Sequence, residues 1–236
     1  MKNKAILFII LLVTIFQCSS NNKQDDKCKI NNEKSARCDM EYQLDKDISH
    51  LDSALYYINE VFDECIECKK YAFLLGMRKV VIYSMKNEYL NSINFLDTLL
   101  EKEIISQFYK DVLTNRFNAM NAQYYGDSLL MNIYVKNAFS EIEQFFLSHK
   151  SSIDSFLNMP YITAYEQSEL HYGVSKLQKQ YIIIPVQYYY YKAQIEGIEK
   201  VRNEVDSLQN AINGDEKYFE IIRIMLEEDF MRFMGI

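Results

Sequence analysis

Apolar residues recur at steps of three and four along almost the whole chain, and this spacing constrains the fold more than any other feature. It places apolar side chains on one face of a helix, whereas a half-buried strand would alternate them with polar ones. The clearest stripe consists of Ile198, Val201, Val205, Leu208 and Ile212. The one strand-like stretch, Tyr181 to Tyr190, has no visible partner strand and contains Pro185. We therefore predict an all-α fold, with a helix break or kink at Pro185.

Short polar or glycine-containing segments are predicted to separate the helices. Gly126 is typical of a helix C-terminal stop, and Asp127 is typical of the N-cap of the next helix. The polar residues from 148 to 158 are predicted to end that helix. Gly214-Asp215 is predicted to turn the chain into a last helix. These boundaries indicate short helices joined by short links.

The first residues are typical of an export signal. Lys2 and Lys4 precede an apolar block from Ala5 to Phe16 that only Thr14 interrupts. This block is too short for a bilayer-spanning helix, which needs about 20 apolar residues. A short apolar core behind a positive head predicts a secretory signal peptide instead.

The residues Ile15-Phe16-Gln17-Cys18 resemble the lipobox of bacterial lipoproteins. The resemblance implies that residues 1–17 are a signal peptide and that Cys18 becomes the acylated first residue. Gln17 departs from the pattern, which usually has Gly, Ala or Ser before the cysteine. Cleavage after Ser20 and an uncleaved anchor are the alternatives. The resemblance predicts a membrane-anchored lipoprotein of the bacterial cell envelope, on the outer-membrane, periplasmic or surface face.

The tract that follows the lipobox is rich in Asn, Lys, Asp and Ser and has few apolar residues. We therefore predict that residues 18–46 are a flexible tether and that residues 47–236 form an all-α repeat domain. Loss of residues 1–17 would remove two lysines and no acid, so the full chain's net charge of −7 would become more negative. An acidic chain without a basic run disfavours nucleic acid and anionic lipid headgroups as partners. The predicted hold on the membrane is the lipid anchor alone.

The stretch YAFLLGMRKVVIYSMKNEYLNSINFLDTLLEK resembles a tetratricopeptide repeat. The matching positions are Tyr83, Asn87-Glu88-Tyr89, Ser92, Leu96 and Leu99. Val80 departs from the pattern, since a Gly or Ala usually stands there, and no proline closes the unit. The resemblance implies stacked helix-turn-helix repeats, capped by a C-terminal helical hairpin that begins near Val186. An unrelated helical bundle is the alternative.

The same resemblance implies a concave groove that binds a partner. It places the groove positions at Met77, Val81, Met85, Arg116, Met120, Gln123 and Tyr124. Methionine adapts to varied apolar ligands, and Arg and Tyr are frequent anchors of interfaces. Methionine at helical spacing is also typical of a core, so burial of these residues is the alternative.

Four cysteines follow Cys18 in the chain: Cys28, Cys38, Cys65 and Cys68. An even number in an exported chain indicates disulfides, and three pairings fit. Cys65 and Cys68 form a C-x-x-C motif, but the βαβ setting of a thioredoxin-type site is missing. Unpaired thiols, a zinc site and redox catalysis are the alternatives. We predict structural disulfides, no metal and no cofactor.

No catalytic motif is recognisable in the chain. The histidines His50, His149 and His171 are far apart, and there is no H-E-x-x-H, glycine-rich phosphate loop or G-x-S-x-G. We therefore expect a lipid-anchored helical-repeat module that binds another envelope protein or peptide, rather than an enzyme. The alternative is an immunity-type lipoprotein that neutralises an exported toxin.

Overall fold

The computed structural model describes residues 23–158, 176–212 and 216–227, and the elements in these ranges are all α-helices. The all-α prediction is confirmed there. The helices are α1 (Lys23–Asp45), α2 (Ser49–Asn59), α3 (Lys69–Met85), α4 (Tyr89–Glu101), α5 (Gln107–Tyr124), α6 (Ser128–Ser148), α7 (Lys150–Leu157), α8 (Lys176–Glu196), α9 (Ile198–Ile212) and α10 (Glu216–Glu227). Within these ranges no helix has both the length and the apolar character needed to cross a bilayer. The predicted signal peptide, Cys18 and the Gly214-Asp215 turn lie outside the described residues.

The chain divides into two compact units, and the boundary falls between Lys86 and Asn87. Helices α1 to α3 belong to the first unit, and α4 to α10 belong to the second. The sequence predicted a single domain from residue 47 onward. The boundary lies at the predicted link of the tetratricopeptide-like stretch, and the repeat type stays a prediction.

In the first unit α1 packs along α2, and α3 packs against both helices. Helix α2 buries Leu51, Ala54 and Ile58, whose spacing of three and four puts them on one helix face. The chain between α2 and α3 buries Val61 and Cys65 as well. The apolar core of this unit is therefore supplied by α2, by the segment that follows it and by α3, which buries Leu75, Val80 and Ile82 among others.

The structure differs from the predicted tether, because residues 23–45 form α1. Asp25 and Asp26 stand in the first turn of α1, where carboxylates complement the helix dipole. The helix ends before Lys46, which has a left-handed φ of 62°. A disulfide joins Cys28 of α1 to Cys65, while Cys38 and Cys68 are unpaired. This covalent link holds a helix whose composition alone resembles a disordered segment.

In the second unit α8 is the central helix, and it packs against α6, α7, α9 and α10. Its buried tyrosines Tyr188, Tyr189 and Tyr191 belong to the core of this unit. The ring of Phe146 on α6 stacks on Tyr188 with 4.3 Å between the centroids. Helix α8 continues through Pro185, so of the two predicted alternatives, a break or a kink, the break is not present. Packing on several sides outweighs the backbone hydrogen bond that a proline removes.

The polar segment between residues 148 and 158 also differs from its prediction. It ends α6 at Ser148 as expected, but the next residues form the short helix α7. Ile153 and Leu157 lie four residues apart on α7 and are both buried in the core of the second unit. Apolar residues at helical spacing thus dock a segment whose sequence is largely polar.

Candidate partner-binding surface

The link between α5 and α6 is a tight turn in which two capping motifs meet. Gly126 has a φ of 78°, a left-handed conformation that residues with a side chain rarely adopt. The N–H groups of Gly126 and Asp127 donate to the carbonyls of Gln123 at 3.0 Å and Ala122 at 2.8 Å, which closes α5. The Asp127 carboxylate accepts a hydrogen bond from the Leu130 N–H at 2.9 Å, which caps α6. The predicted stop at Gly126 and N-cap at Asp127 are confirmed.

Large apolar side chains are exposed on both sides of this link. We call this surface the hairpin tip, and its members are Tyr124, Tyr125, Leu129, Leu130 and Ile133. Their exposed fractions range from 37% at Leu130 to 76% at Tyr125. Exposed apolar side chains that stand singly are normal, whereas a group of them marks an interaction surface.

Tyrosine packing fixes the position of Tyr124 at the hairpin tip. Tyr89, in the first turn of α4, is buried, and its hydroxyl donates to Asn87 Oδ1 at 2.9 Å. The ring centroids of Tyr89 and Tyr124 lie 6.2 Å apart, and those of Tyr124 and Tyr125 lie 5.2 Å apart, both in edge-to-face arrangements. Such ring pairs are favourable beyond the area they bury. Leu90, which follows Tyr89, is exposed and adds an apolar side chain on α4.

The hairpin tip contains no charged side chain, although the chain as a whole is acidic. The carboxylate of Asp127 lies in the link, but it already accepts the capping hydrogen bond. Burial raises the pKa of Tyr89, and the neighbouring Tyr124 raises it further, so this phenol is neutral at physiological pH. The surface can therefore offer apolar contact, aromatic contact and phenol hydrogen bonds.

The structure distributes the predicted groove residues over both units. Met77, Val81 and Met85 follow one face of α3 in the first unit, and all three side chains are half-buried. Their spacing of four residues places them in one row along the helix. The remaining four residues lie on α5 in the second unit.

Only two of the predicted positions on α5 are accessible. Gln123 and Tyr124 are exposed, whereas Arg116 and Met120 are 7% and 3% exposed and lie inside the second unit. The guanidinium of Arg116 interacts electrostatically with the buried phenols of Tyr109 and Tyr191, whose pKa values it lowers against the larger raising effect of burial. The accessible pair belongs to the end of α5 that forms the hairpin tip.

Sequence reasoning missed most of the hairpin tip. The buried residues of α6 are Ala138, Ile142 and Phe146, whereas Leu130 is 37% exposed. Leu129 and Ile133 lie four residues apart on a different face from this stripe. Apolar residues on the otherwise polar face of a helix are the signal that could have revealed the surface.

Other candidate sites are less well formed. Within the described ranges, no three His, Cys, Asp or Glu side chains are grouped closely enough to hold a metal ion. An open cleft of about 520 Å³ in the second unit is lined by Tyr189, Lys200, Asn203, Glu204 and Ser207. Its Glu204 accepts a hydrogen bond from Lys192 at 2.6 Å. Sites for small molecules are usually enclosed and mainly apolar, so we assign no ligand to this cleft.

Comparison of the chain with protein-family models, curated proteins and solved structures finds no match. The functional argument therefore depends on the residues of this chain. Of the surfaces described above, the hairpin tip differs most from the polar exterior that is usual for a protein.

Proposed function

We propose that the protein is a lipid-anchored binding module of the bacterial cell envelope, and that it binds another envelope protein through the hairpin tip. The observation that supports this proposal is the group of exposed apolar and aromatic side chains around the Gly126-Asp127 link. Tyrosine and large apolar residues with few charges are typical of the centre of a protein interface. The lipobox-like sequence at Cys18 supports the proposed location.

The partner that fits this surface is an apolar segment, such as the apolar face of an amphipathic helix. A highly charged peptide would find only the capping carboxylate of Asp127 beside the hairpin-tip side chains, and its own charges would lose water on binding. An anionic bilayer is disfavoured because the chain carries a net charge of −7. The two tyrosines can contribute hydrogen bonds from their hydroxyl groups at the edge of such a contact.

Site-specific photocrosslinking in intact cells tests the proposal. A photoreactive residue at Tyr125 should give a discrete crosslinked protein, whereas one at Gln144, an exposed polar position on α6, should not. Leu129→Glu should abolish the Tyr125 crosslink and weaken binding of the purified partner at least about tenfold, since it introduces a charge into an apolar contact. Gln144→Glu is the matched control and should leave both results unchanged.

Three outcomes would contradict the proposal. Crosslinks of equal yield at both positions would show that the hairpin tip is not selective, and crosslinks only to lipid would assign it to the bilayer. Crosslinks only to a second copy of the chain would assign it to self-association. The identity of a crosslinked partner would also separate an envelope scaffold from an immunity role, because an immunity protein would capture a toxin.

A further inference from the structure

The C-x-x-C motif of the first unit brings an unpaired thiol next to the disulfide. Cys65 is bonded to Cys28 of α1, and the Cys68 N–H donates to the Cys65 carbonyl at 3.0 Å, which makes a tight turn. The Cys68 thiol donates to the carboxylate of Asp25. Asp25 lies three residues before Cys28, about one turn away along α1. Helix α1 therefore meets both cysteines of the motif.

Cys65 is bonded to Cys28 and lies one tight turn from Cys68, so both cysteines are sterically suitable as its disulfide partner. The Cα atoms of Cys28 and Cys65 are 5.9 Å apart. A turn closed by a hydrogen bond between residues i and i+3 keeps its end Cα atoms within about 7 Å, and disulfides span about 4.4–6.8 Å. The turn therefore keeps the Cα atoms of Cys65 and Cys68 close to the separation that a disulfide spans. Cys38 lies nearly three helical turns beyond Cys28 and is too far along α1 to compete.

Helix α1 has little apolar surface to keep it in place without the covalent link. Its buried side chains are Cys28, Asn32, Ser35 and Cys38. The larger apolar side chains of the helix, Ile30, Met40 and Leu44, are all exposed. Hydrophobic stabilisation scales with the apolar area removed from water, so this packing face contributes little.

Polar contacts hold α1 in addition to the disulfide. Arg78 of α3 forms an ion pair with Asp39 at 3.1 Å and donates to the Asn32 carbonyl at 2.6 Å. Lys27 pairs with Glu64 at 2.7 Å, but both side chains are about half exposed, and such pairs contribute little. The Cys28–Cys65 bond therefore adds a covalent link to side-chain contacts that are mostly polar.

We propose that the first unit contains a thiol–disulfide switch, in which Cys68 exchanges into the bond of Cys65 and releases Cys28. The Cys68 sulfur attacks the Cys65 sulfur, the Cys65–Cys68 bond forms, and the Cys28 sulfur leaves as a thiolate. The proton lost by Cys68 passes through solvent to Cys28, so no external oxidant or reductant is required. In the form with the Cys28–Cys65 bond, a disulfide ties α1 to the segment before α3. In the form with the Cys65–Cys68 bond, α1 has lost this disulfide.

The surroundings of Cys68 slow the exchange at neutral pH, so the form with the Cys28–Cys65 bond persists. Burial raises the pKa of the Cys68 thiol to about 11, and the nearby carboxylates of Asp25 and Glu67 add to the increase. Only the thiolate attacks a disulfide, so exchange is slow at neutral pH and accelerates as the pH rises. In a chain anchored at Cys18, as proposed above, release of α1 would free residues 23–45 between the anchor and α2.

Thiol mapping on the purified full chain in detergent tests the switch. The chain is kept at about pH 9 without oxidant or reductant, where more thiol is ionised. It is then quenched with acid, alkylated with N-ethylmaleimide and digested with trypsin. Residues 47–69 form one tryptic peptide that carries both Cys65 and Cys68. We expect the label to move from Cys68 to Cys28 with time, and trypsin cleavage inside α1 to increase in parallel. A label that stays on Cys68 would overturn the proposal.

Two serine variants provide the controls. Cys38→Ser should preserve the transfer of label, because Cys38 takes no part in the exchange. Cys68→Ser should keep Cys28 unlabelled at every time point, and circular dichroism should show that its helices are retained. Labelling of Cys28 in Cys68→Ser would mean that the Cys28–Cys65 bond opens without the neighbouring thiol, which also overturns the proposal.

Discussion

Asp39 and Arg78 form an ion pair in the first unit, and the pKa of the Asp39 carboxyl is strongly raised there. Burial raises the pKa of Asp39 to about 6, although the guanidinium of Arg78 at 3.1 Å acts in the opposite direction. Three buried oxygens on α1, namely Asn32 Oδ1, Ser35 Oγ and Asp39 Oδ1, have no hydrogen-bond partner among the described residues. An environment this poor in donors favours the protonated carboxyl over the carboxylate.

The raised pKa of Asp39 predicts a specific pH dependence of stability. The pKa of an unfolded aspartate is about 3.9, so between about pH 4 and 6 the folded state binds more protons than the unfolded state. The free energy of unfolding should therefore fall as the pH rises through this window, by at most on the order of 3 kcal/mol. Urea unfolding at several pH values should show a shallower fall for Asp39→Asn. Glu33→Gln, an exposed change on the same helix, should keep the wild-type slope, and equal slopes for all three proteins would contradict the prediction.

At the scale of the helices, local chemistry was predictable and long-range links were not. Gly126 and Asp127 revealed a helix end and a helix start, because each acts through hydrogen bonds to residues three to five positions away. Helix α1 could not be predicted, since the Cys28–Cys65 bond that holds it spans 37 residues and three pairings of the cysteines fitted the sequence. At Pro185 the sequence left a break or a kink open, and α8 continues through this residue while helices distant in sequence pack against α8.

The contribution of the α5–α6 link to the free energy of unfolding should be measurable. Gly126→Ala places a Cβ on a residue with a φ of 78°, and no atom lies within 4 Å of that Cβ, so the cost is backbone strain alone. We expect a loss of roughly 1–2 kcal/mol in the free energy of unfolding. Gly126→Asn should cost less, because asparagine tolerates the left-handed region. Chemical denaturation of the three proteins checks this order, and equal stability of Ala and Asn variants would be evidence against it.

At the scale of the whole molecule, the two units have different kinds of interior. The first unit combines an aliphatic helix face on α2 with a disulfide and a buried ion pair. The second unit is organised around the aromatic residues of α8. The sequence predicted helices throughout but one domain, because apolar spacing reports local helix faces and not which of them share a core.

The anchor at Cys18 is the prediction that concerns the protein's location. Cys18→Ala should release the protein from the membrane or leave the signal peptide attached, since an alanine offers no thiol for acylation. Membrane fractionation and intact-mass measurement distinguish these results. Ser19→Ala is the matched control and should leave both properties unchanged. A Cys18→Ala protein that is still processed and membrane-bound would rule out this anchor.

The C-terminal end of α5 and the N-cap of α6 are adjacent residues, so the hairpin tip tolerates little change in the length of the link. Gly126 completes the end of α5 while Asp127 begins α6, so the link has no spare residue. One inserted residue within the first turn of α6 would rotate the side chains before it by about 100° relative to the rest of the helix. Leu129 would then leave the face it shares with Ile133. If the hairpin tip binds a partner as proposed, its specificity can change by substitution at a fixed loop length, whereas an insertion would disrupt the surface.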